Sequence, residues 1–151
     1  MPRDSKYSQG RFHPQNPEKY KGDVHNIIYR SSWELKFMQW CDRNPSVIEY
    51  ASEEFCIPYL SPLDGRVHRY FPDFLIKIKE QSGEIKKYII EVKPKKQTIP
   101  PVQTPKKRNK TYINEVKTYV VNEAKWKAAS EWCKDHLLEF KVITEQELFG
   151  N

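Results

Sequence analysis

The chain has 151 residues, 38% hydrophobic and 13% aromatic, with a formal charge of +6. That length suits one compact domain with its own core, and no apolar run approaches the roughly 20 residues that cross a bilayer. Cys41, Cys56 and Cys133 are odd in number and widely spaced, and the histidines at 13, 25, 68 and 136 are as scattered, so a disulfide framework is excluded, no His/Cys metal site is expected, and the thiols are expected in the core.

Residues 1–28 carry Pro2, Pro14, Pro17, Gly10 and Gly22 with few aliphatic side chains. They read as an extended arm anchored by Phe12 and Tyr20, preceding a single domain over 29–151. Pro2, Arg3 and Asp4 begin no apolar leader, so the protein is expected to be soluble and intracellular.

A helix comes next, capped by Ser31 or Ser32, with Trp33, Phe37, Trp40 and Cys41 as its apolar stripe. Asn44-Pro45 ends it. Residues 47–60 read as extended, and Ser61-Pro62-Leu63-Asp64-Gly65 as a turn. Arg66 to Lys79 predicts a strand, Gln81-Ser82-Gly83 reverses the chain, and Ile85 to Lys93 returns as its hairpin partner until Pro94. A loop over 94–106 leads into helical spacing from Lys107 to Leu137, read as two helices meeting at an Asn122 cap, with Trp126, Ala129, Cys133 and Leu137 as a stripe. Phe140, Val142 and Ile143 form a last strand, and Thr144 caps a final turn. A strand that returns after a helical crossover implies a mixed α/β sheet with one parallel pair, flanked by helices.

The charge is concentrated. Between Val92 and Asn114 there is no acid, while Lys93, Lys95, Lys96, Lys106, Lys107, Arg108 and Lys110 supply seven positive charges; the rest of the chain has 19 basic and 20 acidic residues. Attraction to a polyphosphate is the usual use of such a field, and a solvated loop is the alternative.

Hydrolysing a phosphodiester calls for a divalent cation held by oxygen ligands, with a basic group beside it. The hairpin offers these groups. Asp73 follows Pro72, and Glu91 and Lys93, two apart on the return strand, project to one face while Val92 points to the other. Either half alone reads as ordinary turn chemistry or an exposed charge pair; adjacent strands bring the halves together. Glu34, beside Trp33, is a third acid, and Ser31-x-x-Glu34 is equally a capping box.

Pro72-Asp73, Glu91-Val92-Lys93 and a preceding helix with Glu34 resemble the PD-(D/E)xK nuclease superfamily. Longer segments resemble the head completion nucleases of T-even-type myophages. They are Tyr29-Arg30-Ser31-x-Trp33-Glu34, Arg69-Tyr70-Phe71-x-Asp73, Glu91 to Lys96, Pro100-Pro101-Val102, Asn114-Glu115, Asn122-x-x-Lys125-Trp126-Lys127-Ala128-Ala129 and Ile143-Thr144-Glu145. The arrangement is also similar to TnsA-type transposon endonucleases. The resemblance implies a restriction-endonuclease-like fold with a helix, three strands, a helix and a strand at its core. It implies a Mg2+- or Mn2+-dependent endonuclease that processes DNA at the filled phage head.

Asp73 and Glu91 would then ligate the metal, Lys93 would stabilise the attacking hydroxide or the developing charge, and Glu34 would assist as an acid just outside the metal's own ligands or at a second metal. Lys95, Lys96, Lys106, Lys107, Arg108 and Lys110 would contact DNA phosphates without reading bases. Head, portal or neck proteins are the expected partners, and no membrane is. The expected location is the host cytoplasm during assembly, with virion association as a further expectation. A junction-resolving nuclease and a neck adaptor with a vestigial site are the alternatives.

Overall fold

The computed structural model describes residues 9–52 and 55–150. The elements are β1 (Gly10–Arg11), a 3-10 turn (Pro17–Lys19), β2 (Ile28–Tyr29), α1 (Ser32–Arg43), β3 (Val47–Ser52), β4 (Ile57–Leu60), β5 (Val67–Tyr70) and β6 (Phe74–Lys79). They continue with β7 (Ile85–Val92), a 3-10 turn (Lys95–Thr98), α2 (Asn109–Asp135), β8 (Glu139–Ile143) and α3 (Glu145–Phe149). Among the described residues no helix is long and apolar enough to cross a membrane.

The central sheet has the order β3-β6-β7-β8. Its first two pairings are antiparallel, and β7 runs parallel to β8 after the α2 crossover. With α1 ahead of β3, this is the order of helix, three strands, helix and strand that the resemblance implies. Alternation along β7 separates two cores. Tyr88 and Ile90 join Phe37, Met38, Tyr50 and Phe74 against α1, while Ile89 joins Tyr59, Tyr70, Trp126, Ala129 and Cys133 against α2.

The strand read from Arg66 to Lys79 is broken. Pro72, fully buried, has no N–H for a ladder, and the chain changes partners around it. Before it, β5 pairs with β4 in a separate two-stranded sheet; after it, β6 enters the central sheet between β3 and β7.

The two expected helices are one helix of 27 residues, with Asn122 buried inside it rather than capping a second helix. The modest helix propensity of asparagine is outweighed by the continuous packing of the Trp126, Ala129 and Cys133 face. Leu137 lies beyond that helix, 93% exposed and at φ 58°. The N–H of Leu138 donates to the Cys133 carbonyl at 2.8 Å, a closure that usually places glycine in the left-handed position. On α1 the buried stripe is Phe37, Met38 and Cys41, rotated from the one expected, and Trp40 is 43% exposed.

Several local expectations hold. Ser31 caps α1, and Thr144 caps α3 in a full capping box with Glu147. Phe12 and Tyr20 are buried, and the segment that carries them closes on itself by pairing β1 with β2. Cys41 and Cys133 are buried free thiols as expected, whereas Cys56 departs from that expectation, being free but only partly covered.

Candidate functional site

The pairing Phe74↔Ile90, extended by one residue, places Asp73 across from Glu91, where neighbouring side chains stand about 5 Å apart. Asp73 thus lies just ahead of β6 and Glu91 one residue before the end of β7. Glu91 shares the face of Ile89, toward α2, and is only 6% exposed. Lys93 continues past the strand with its backbone N–H donated to the Ile143 carbonyl at 2.9 Å, so β8 fixes its position. Its Nζ lies 3.7 Å from Glu91 Oε2.

Both carboxylates are oriented by donors. The Val92 N–H donates to Asp73 Oδ2 at 2.8 Å, and the Tyr70 hydroxyl donates to Glu91 Oε1 at 2.7 Å. Burial pushes Asp73 well above the usual carboxylate range, and the charge of Glu91 adds to it; the Val92 N–H opposes, Glu34 raises it further, and Lys93 opposes. Burial also raises Glu91, against the opposing pull of Lys93, the Tyr70 hydroxyl, Lys125 and the Asp73 backbone. Burial and Glu91 push the Tyr70 phenol far up as well, so it stays a proton donor at neutral pH. Two acids side by side, Glu91 buried and Asp73 largely covered, each resisting ionisation, form a place where a cation is electrostatically favoured.

Glu34 is near enough to act on Asp73, yet its position is set by local helix chemistry. Its N–H donates to Ser31 Oγ at 3.1 Å. Its Oε1 accepts the Arg30 N–H at 3.2 Å, one residue before the cap whose own N–H a capping box would take. Among the described residues no three of His, Cys, Asp or Glu gather as a metal cluster. The donors present are two carboxylates, oxygen ligands of the kind a hard divalent cation takes together with waters and the oxygens of a phosphate. Asp73 and Glu91 fit such an ion.

The basic stretch divides. Lys95 and Lys96 lie in the 3-10 turn just after Lys93, and the Lys95 N–H is anchored to Glu145 Oε1 at 2.7 Å. Lys106, Arg108 and Lys110 are exposed around the start of α2, a helix with no acid in its first turn and no side-chain cap. Lys107 is engaged within the chain, with its Nζ 2.7 Å from both the Val102 carbonyl and Glu115 Oε1.

Two site residues escaped the sequence reading. Tyr70 stands three residues before Asp73, and its separation by the Pro72 break hides the fact that its hydroxyl returns to Glu91. Lys125 enters the sequence reading only as part of a resembling segment, with no role, and its Nζ lies 5.8 Å from the Tyr59 ring centroid and 5.7 Å from that of Tyr70. Burial and Lys93 lower its pKa, and Glu91 opposes them.

The family described as "TnsA-like endonuclease N terminal" matches residues 44–145, a span that holds Asp73, Glu91, Lys93 and Lys125 and leaves Glu34 outside. The chain is 41% identical over 142 residues to the head completion nuclease of Enterobacteria phage T4, covering 92% of each protein.

Proposed function

Because the chain belongs to the TnsA-like endonuclease family, we propose that it is a head completion nuclease that hydrolyses DNA phosphodiester bonds with Mg2+ or Mn2+. The observation that carries this reading is the pair of carboxylates, Glu91 buried and Asp73 largely covered, with Lys93 beside them. A divalent cation bound there supplies Lewis-acid chemistry, neutralising phosphate charge and making water more acidic.

The chain's own residues do the rest. Asp73 and Glu91 hold the ion, and the Val92 N–H and Tyr70 hydroxyl keep each carboxylate aimed. Lys93 offers its ammonium to the negative charge that develops on the reacting phosphate. Glu34 serves as an outer acid, coupled to Asp73 through space. Lys95 and Lys96 take the phosphates nearest the site. Lys106, Arg108 and Lys110 grip the duplex farther along, aided by the positive end of α2; Lys107 braces their loop through Glu115. These contacts are to the backbone, so sequence preference is weak.

The relative's name places it at head completion. On that basis the proposed setting is the phage head during assembly in the host cytoplasm, with head, portal or neck proteins as neighbours.

The test is cleavage of linear, nicked, branched and single-stranded DNA with Mg2+, Mn2+ or chelator. Asp73→Asn is expected to lower cleavage about a thousandfold, the loss of several kcal/mol of transition-state stabilisation, while remaining folded. Cleavage by that variant at the parental rate, or cleavage undiminished by chelator, would reject the site.

A further inference from the structure

Lys125 occupies a position that neither the motif nor the fold requires. A lysine beside a core position on a helix ordinarily runs its stem along the surface and releases its head to water. Here the head is turned over the rings of Tyr59 and Tyr70, 5.8 and 5.7 Å from their centroids. Tyr70 is the residue whose hydroxyl holds Glu91, so the ammonium stands on the aromatic floor of the carboxylate site. Among the described residues it makes no hydrogen bond and no close ion pair.

Its electrostatic neighbours are Lys93, which opposes its charge, and Glu91, which favours it. Two ammonium groups within electrostatic reach of each other repel unless an anion lies between them. Glu91 supplies that anion while it is not engaged. Once Asp73 and Glu91 are committed to a divalent cation, both lysines face an unmet demand for negative charge. The arriving group with the right charge is a phosphodiester.

We propose, on the nuclease reading above, that Lys125 is a second substrate-contacting lysine of the site, reaching in from α2 while Lys93 reaches in from the end of β7, so that the phosphate at the cut is held between them. The geometry accounts for the aromatic floor as well. Tyr59 and Tyr70 support a cation without neutralising it, which keeps the ammonium in place yet available.

The experiment compares the parent with Lys125→Met, which keeps the packing stem, and Lys125→Arg, which keeps the charge. Single-turnover cleavage of a linear duplex with Mg2+ is measured, together with duplex binding in Ca2+ across salt concentrations and thermal melting of each protein. Lys125→Met is expected to cut about tenfold or more slowly and to reduce the slope of log affinity against log salt by about 0.9, the value of one phosphate contact. Lys125→Arg is expected to recover most of the slope.

A Lys125→Met protein with the parental rate and slope overturns the proposal. So does a variant that loses thermal stability alone, since that marks the lysine as packing over the tyrosines. A parent that cuts no DNA with any divalent cation removes the nuclease reading first, and this proposal falls with it; a parent that cuts while Lys125→Met cuts equally well removes only this proposal.

Discussion

Two of the described aspartates are largely withdrawn from water, and their surroundings are opposite. Asp42, near the end of α1 and 2% exposed, accepts the backbone N–H groups of Gln15 and Asn16 at 2.8 and 2.9 Å, one on each oxygen. Asp73 accepts one backbone N–H and meets the charges of Glu91 and Glu34. The first is a clasp, tying the N-terminal segment to α1 with donors that match its charge. The second is left short of positive charge. A buried acid surrounded by amide donors holds a fold together, whereas one set beside other acids awaits something from outside.

Removing the clasp is expected to have the larger effect on stability. Asp42→Ala leaves two backbone amides without their charged acceptor and is expected to cost about 3 kcal/mol in urea unfolding, with the cleavage rate per folded molecule unchanged. A variant of parental stability would mean that solvent serves those amides as well as Asp42 does, and the contrast would collapse.

Tyr70→Phe probes the other side. It removes the donor that aims Glu91 while keeping the ring under Lys125, and is expected to slow cleavage about tenfold, the worth of one hydrogen bond to a charged group, with little change in the urea midpoint. The opposite pattern, lost stability with full activity, would make the Tyr70 hydroxyl a bond that holds the core and not one that aims Glu91.

The smallest expected effect is in the pH dependence of the metal-free protein. Asp73 and Glu91 are both raised above ordinary carboxylate values. Between the ordinary range and those raised values the native state holds more protons than the unfolded chain, so stability is greater at the acidic end and falls as pH rises through that window. The slope is at most about 1.4 kcal/mol per pH unit for each carboxylate. Asp73→Asn is expected to flatten it, and to be more stable than the metal-free parent near neutral pH. An equal slope in both proteins would place the proton uptake elsewhere.

The two aspartates also differ in how far the sequence reveals them. Asp73 could be found, because Pro72 precedes it and the alternation of Phe74, Ile76 and Ile78 sets its strand against the one carrying Glu91. Asp42 could not, since its partners are backbone amides more than two dozen residues away, and backbone donors leave no mark in side-chain spacing. The same distinction runs through the fold. The order of the core elements along the chain, the parallel pair and the cap at Thr144 follow from local pattern. The break at Pro72, the unbroken α2 and the inward Lys125 are set by tertiary packing, which local propensity does not record.

Continuity in α2 has a geometric consequence. From Asn109 to Lys125 the helix climbs about 24 Å at 1.5 Å per residue, close to the length of seven base pairs at about 3.4 Å each. A rigid rod of that size, basic at one tip and carrying Lys125 beside the Tyr70 and Glu91 pair partway along, would work as a gauge. In the DNA-cutting reading, grip is displaced from incision by a distance that helical rise dictates, and no local hinge is there to let it drift.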